Sequence, residues 1–271
     1  MGVVPPTLRD LIHIVKFSGG KDSVAAIIKL VEEGIQPNYV VFNFVKGNMP
    51  EEVKFYIEEL ADVTFEELGI NPRFIVIESE DFLRLMREKH KPFPSPKTLW
   101  CMYWLKVVPF RRWLESLGVP EPRVCVDIGV KAHDSWRRKR LYVKKLYRAR
   151  ELRTTFKGVG LDAGYYWVYL PILDMNNEAV LRLITQYPKI RNILFKGYEK
   201  FGNPSTCYVC PFHTKKLYSR MPKEFLLRAL DIITEIENMN HIKRFRLGYK
   251  LLQKQKRLVL EFLNEGLKRF M

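Results

Sequence analysis

Residues 18–23 read Ser-Gly-Gly-Lys-Asp-Ser, a set suited to holding a pyrophosphate or sulfate group. Gly19 and Gly20 let backbone N–H groups approach anionic oxygens, Lys21 adds positive charge, and Ser18 and Ser23 add hydroxyls. The spacing is not that of a Walker A loop, G-x-x-x-x-G-K-S/T. A second set occupies residues 129–138, Gly-Val-Lys-Ala-His-Asp-Ser-Trp-Arg-Arg, in which Lys131 and Arg138 could face the same phosphates; a solvated basic loop is the plainer alternative. The third set is thiol chemistry. Cys207 and Cys210 form a C-x-x-C pair beyond a turn of Gly202, Asn203 and Pro204, and Cys101 supplies company. Thiolates suit an iron–sulfur cluster or zinc, with His213, water or a substrate sulfur in the fourth place; reduced structural cysteines are the alternative. Cys125 sits in an apolar run and reads as packing.

These residues need elements to hold them. Leu11 to Phe17 is an apolar run that stops at the glycines, and Val24, Ile27, Ile28 and Val31 follow at helical spacing up to Gly34, which predicts strand, loop and helix. A glycine turn between a strand and a helix puts a helix N-terminus, with its favourable dipole, at the bound anion. Tyr39 to Val45 and Arg73 to Ile77 read as further strands, with Glu51 to Leu68 as a helix between them. Helical patterns follow at Asp81 to Lys89 and Cys101 to Leu117, then a strand at Arg123 to Val130. Such alternation predicts an open α/β sheet with ligands beyond the carboxyl ends of its strands. After Pro171 the pattern turns to helices and loops. Asp174 is expected to cap the helix through Val180 and Ile184, and a basic helix from about Ile242 to Phe270 is expected to bury Phe245, Tyr249, Leu252, Leu258 and Phe262. The expected division is a nucleotide-binding domain over 1–172 and a C-terminal region with the cysteine pair over 173–271.

The segment SGGKDS resembles the signature of the PP-loop ATP pyrophosphatases. Three later segments, in order, resemble the phosphoadenylylsulfate (PAPS) reductase-like branch: Gly129 to Arg138 is similar to G-[IV]-R-x-x-E-S-x-x-R, with Lys131 and Asp134 as charge-keeping replacements; Thr98 to Pro109 is similar to C-x-x-x-K-x-x-P; and Pro171 to Gly202 is similar to the stretch leading into the cysteine pair. The resemblance implies a mainly parallel twisted sheet flanked by helices (adenine nucleotide alpha hydrolase-like) with a helical C-terminal region. It also implies an adenylating enzyme that uses ATP and Mg2+. In that scheme Lys21, Asp22, Lys131 and Arg138 carry the chemistry, Ser18, Gly19, Gly20, Lys21, Asp22, Ser23 and Gly129 bind the nucleotide, and Cys101, Cys207 and Cys210 hold an iron–sulfur cluster or zinc. Departures redirect the expected reaction. Trp100 stands where cluster-containing reductases have a second adjacent cysteine, Val45-Lys46-Gly47 replaces Asp-Thr-Gly, and no cysteine follows Cys210 where sulfonucleotide reductases carry their attacking thiol. Adenylation with sulfur transfer is therefore expected ahead of sulfonucleotide reduction with an external thiol, and both ahead of a non-catalytic nucleic-acid-binding module.

The 271 residues can build a core, with 47% hydrophobic and 28% charged content, which excludes a disordered chain. A net charge of +16 with pI ≈ 9.6 points to a polyanionic partner, a nucleic acid above all, or else to a lysine-rich surface kept for stability. The start, Met1 to Pro6, lacks a secretory pattern, and no apolar run approaches bilayer length, so the expectation is a cytoplasmic protein without a membrane partner and with reduced cysteines.

Overall fold

The computed structural model describes residues 7–152, 164–203 and 207–268. Met1 to Pro6, Pro204 in the turn before the cysteine pair, and Phe270 at the expected end of the last helix lie outside the described residues. Six strands form one sheet: β1 (Ile12–Lys16), β2 (Tyr39–Phe44), β3 (Arg73–Glu78), β4 (Val124–Ile128), β5 (Leu146–Arg148) and β6 (Trp167–Tyr169), in the order β3-β2-β1-β4-β6-β5. β1 pairs in parallel with β2 (Ile14 opposite Tyr39) and with β4 (Ile14 opposite Val126), and β4 pairs in parallel with β6. β5 alone is shown antiparallel, on β6. The order reverses direction at β1 and β4, so the carboxyl ends of these two neighbours flank the crevice where open α/β sheets bind ligands.

The helices between and after the strands are α1 (Lys21–Glu32), α2 (Glu51–Leu68), α3 (Phe82–Glu88), α4 (Trp100–Met102), α5 (Val108–Ser116), α6 (Trp136–Leu141), α7 (Asn177–Thr185), α8 (Pro188–Phe201), α9 (Lys215–Tyr218), α10 (Lys223–Glu237) and α11 (Arg246–Lys268). Among the described residues no helix is long and apolar enough to cross a membrane. α1 buries Val24, Ala25, Ile27, Ile28 and Leu30 and ends at Gly34, whose φ of 73° lets the Ile35 amide reach back to the Leu30 carbonyl. Asn176, not Asp174, caps α7: its side chain accepts from the Ala179 amide, while Asp174 is 70% exposed and pairs with Lys145.

The contacts group the chain into two units, each drawn from three stretches. The first comprises Met1–Asn43, Ile57–Ile77 and Phe110–Leu194. Its core uses alternate residues of the strands, Ile14, Val124, Val126 and Val168, packed with Phe110, Leu114, Tyr147 and Tyr166. The opposite face carries His13, Cys125, Asp127 and Tyr169.

The second unit comprises Phe44–Tyr56, Glu78–Pro109 and Phe195–Met271. The helix expected from Cys101 onward carries a π turn over Tyr103–Val107 between α4 and α5. A π turn takes up one residue more than an α-helical turn without ending the helix. The long basic helix also differs from expectation. A 3-10 turn at Ile242–Arg244 precedes it, Phe245 stands in the break, and up to residue 264 the buried positions of α11 are Gly248, Leu252, Gln255, Val259 and Leu263. Of the anticipated stripe only Leu252 is fully buried. Gly248 sets this face, because a side chain there would meet the Phe93 carbonyl oxygen at 2.8 Å.

Candidate functional site

β1 ends at Lys16, Phe17 donates its amide to Val41, and the chain turns through Gly19 at φ 73° into the N-cap Gly20 of α1. A non-glycine residue at that φ is strained, which explains Gly19 physically. Gly20 has no side chain, so the first turn of α1 carries no side-chain cap. Ser23 shapes the loop: its hydroxyl donates to the Gly20 carbonyl at 2.8 Å and accepts from the Ser18 amide at 3.2 Å. Ser18 is exposed and its hydroxyl reaches Ser23.

The second segment closes on the first. At Gly129, just past the end of β4, an added Cβ would lie 2.4 Å from the Asp22 carbonyl oxygen. Lys131 is 1% exposed, and its ammonium meets three oxygens: Asp22 Oδ1 at 2.6 Å, Asn177 Oδ1 at 2.9 Å and Asp134 Oδ1 at 3.2 Å. An ammonium has three donors, so this set compensates its burial. As placed, Lys131 orients Asp22 rather than reaching outward. Asp22 Oδ1 also takes Lys21 at 2.8 Å, and its side chain remains 30% exposed. Asp134 bridges onward to Arg138, whose side chain is 42% exposed. The structure therefore assembles Ser18 to Ser23, Gly129 and Lys131 in one place and ties Arg138 to them through Asp134. Asn177, at the first position of α7, is the participant that sequence reading missed; a polar residue after a cap carries no motif.

Cys101, Cys207 and Cys210 all belong to the second unit, where each is partly buried and carries a free thiol. Burial first, then the charges of Cys207 and Cys210, pushes Cys101 up to about 12; burial and then Cys207 pushes Cys210 up to about 11. Cys207 is raised by burial, and Lys106 opposes the rise at all three. His213 is 6% exposed, is held down at about 4 by burial, and leaves Nδ1 without a partner. Its amide bonds the Cys210 carbonyl, and its ring stands edge-on to Tyr218. Asn48 was also missed. Its side chain pairs with both the N–H and C=O of Val209 at 3.0 Å, and its carbonyl accepts from the Tyr208 amide at 2.7 Å, so it clamps the turn between the two cysteines. Glycine at 47 fits its φ of 75°, which strains any other residue, and a Cβ there would also crowd the Asp81 carboxylate.

Three buried ligand-type groups occur elsewhere, on β1 and β4. The ligand atoms of His13, Cys125 and Asp127 lie within 4.8 Å of one another. They are already satisfied: His13 Nε2 donates to the Leu8 carbonyl at 2.7 Å, Nδ1 meets Asp127 at 2.9 Å, and the Cys125 thiol points at Asp127. We read them as a sealed ion pair with a neighbouring thiol. Cys125 is fully buried, in keeping with packing, but the buried Asp127 beside it was not foreseen.

No protein-family model matches the chain, and no curated protein matches it. Among solved structures the chain is similar to the U34-tRNA thiolase NcsA from Methanococcus maripaludis with its [4Fe-4S] cluster, at 16% identity and a TM-score of 0.39, over 93% of this chain and 72% of that one.

Proposed function

We propose that this protein is an adenylating enzyme of the PP-loop type, PAPS reductase-like in its motifs, which cleaves ATP between the α- and β-phosphates to activate an acceptor for sulfur transfer, the acceptor being a nucleic acid. The observation that carries this reading is the meeting of two segments about a hundred residues apart in sequence: Lys131 Nζ lies 2.6 Å from Asp22 Oδ1, and Gly129 packs against the Asp22 backbone. An ordinary glycine turn would need neither.

In this reading the open first turn of α1 and Lys21 stabilise charge on the leaving pyrophosphate. An acceptor oxygen attacks the α-phosphorus, the bond to the bridging oxygen breaks, and a sulfur nucleophile later displaces AMP. Both ammonium groups use Oδ1 of Asp22, which leaves Oδ2 to meet a magnesium ion brought by the nucleotide. Lys131 fixes the Asp22 rotamer, and Arg138 is held by Asp134 for a phosphate oxygen.

The donor set of the second unit fits a thiophilic metal. Three partly buried thiols share Lys106 as an opposing cation, and His213 Nδ1 is a buried orphan three residues past Cys210. Thiolates suit an iron–sulfur cluster, with zinc as the alternative. Cys101, Cys207 and Cys210 would hold it, and when bound it would supply a site for handling sulfur.

Incubation of the protein with Mg-ATP and RNA tests the reading. Formation of AMP and pyrophosphate is expected. Absence of nucleotide binding and of AMP with every acceptor tried would refute it. Iron and sulfide analysis of an anaerobic preparation checks the cysteine site separately.

A further inference from the structure

Positive charge is not spread evenly over this chain. Residues 136–151 hold eight Lys or Arg and one Glu, close to half of the excess of +16 within sixteen positions. A surface kept basic for stability alone would have no reason to gather its charge this way. The segment covers α6, the turn after it and β5, all in the first unit.

Aromatic rings are exposed in the same patch. Trp136 is 71% exposed at the start of α6, with the Arg140 guanidinium 4.5 Å from its ring. Tyr165 is 63% exposed and has Arg150 at 5.5 Å. A solvent-facing tryptophan costs free energy unless something covers it, and this is the most exposed of the five. It borders a cavity of about 490 Å³ lined by Trp136, Arg137, Arg140, Leu141 and Glu151, within the size range of small-ligand clefts.

We propose that this patch binds a single-stranded nucleic-acid segment, with a base stacked on Trp136 and the phosphate backbone running along Arg137, Lys139 and Arg140. Rings among cations match a chain that alternates flat bases with phosphates. A duplex hides its base faces, so the exposed Trp136 face selects unpaired nucleotides. The proposal rests on the function above only for what happens to the bound strand. Ser135, whose side chain caps α6, follows Asp134, the carboxylate bridging Lys131 and Arg138, so the strand would lie next to the phosphate loop.

Fluorescence anisotropy without nucleotide tests this, using a labelled single-stranded RNA about 12 nucleotides long, the same sequence as DNA, and a duplex of it. Both single strands should bind more tightly than the duplex; the ratio between them tells which is the natural partner. Trp136→Ala should weaken single-strand binding roughly 5- to 150-fold and Trp136→Phe should recover part of it. Arg140→Ala should lower the slope of log affinity against log salt by about one. Unchanged binding by a folded Trp136→Ala protein, or tighter binding to the duplex, would overturn the proposal. Failure to form AMP with binding intact would instead count against the proposed reaction alone.

Discussion

Two lysine- or histidine-to-aspartate pairs join strands or loops of the same unit, and they do different work. His13 and Asp127 are 1% and 0% exposed, and every strong donor between them and Leu8 is matched internally. Lys131 and Asp22 are 1% and 30% exposed, so one partner is sealed and the other faces outward. A pair sealed on both sides can serve only the fold, because no ligand can exchange with either member. A half-open pair transmits the rigidity of the buried cation to a carboxylate that a ligand can still meet. Burial asymmetry, rather than the presence of a salt bridge, marks the candidate site.

The comparison can be broken in four ways. His13→Ala leaves Asp127 buried and unpaired, so urea unfolding should show a loss of about 3–5 kcal/mol while nucleotide binding per folded molecule is kept; a loss below about 1 kcal/mol would mean the pair is not sealed. Lys131→Ala should do the reverse, lowering AMP formation about 100-fold through a misplaced Asp22 with a smaller stability loss, since Asp22 retains Lys21. Asn48→Ala leaves the Val209 N–H and C=O unmatched; a stability loss of about 1–3 kcal/mol is expected, together with lower iron content after anaerobic purification. Wild-type iron content would show that Asn48 supports only the fold.

The smallest effect is on pH. His13 is raised: burial, the largest single influence, lowers it, but the hydrogen bond and charge of Asp127 outweigh that. Asp127 is raised by burial, with His13 opposing. Both folded values exceed the ordinary 6.5 and 3.8, so the folded chain holds protons that the unfolded chain has released. Stability from these groups is therefore full below the unfolded values and is lost as pH rises from near 3.8 to beyond 6.5, by at most about 1.4 kcal/mol per pH unit per proton. Urea midpoints across that range should fall less steeply in a His13→Gln/Asp127→Asn double variant than in the parent; parallel curves would remove the linkage.

Much of the first unit was readable before any coordinates. Strand, glycine turn and helix are local patterns, and the run from Leu11 to Gly34 states each of them, while Glu51 to Leu68 states a helix. The short β5 and β6 were not read, because three residues cannot show a period of two, and Asp127 hid because its partner His13 is 114 positions away. The same distance problem concealed Asn48, which acts 161 positions on at Val209. The π turn escaped because one added residue leaves apolar spacing nearly intact. The meeting of Lys131 with Asp22 was foreseen only as two motifs that should converge; that the ammonium would be fully engaged by Asp22, Asn177 and Asp134 required the fold.

β5 lies at the outer end of the strand order, where unpaired backbone groups invite another chain to add itself. It is only three residues long and is framed by Lys144, Lys145 and Arg148. Short length and like charge are the features that deter such edge pairing, since a second copy would bring the same cations against these. The basic stretch thus discourages a second copy from pairing at this edge. Neutralising its lysines and arginines to study ligand binding would carry a side effect on solubility at high protein concentration, and single substitutions on α6 are the safer probes.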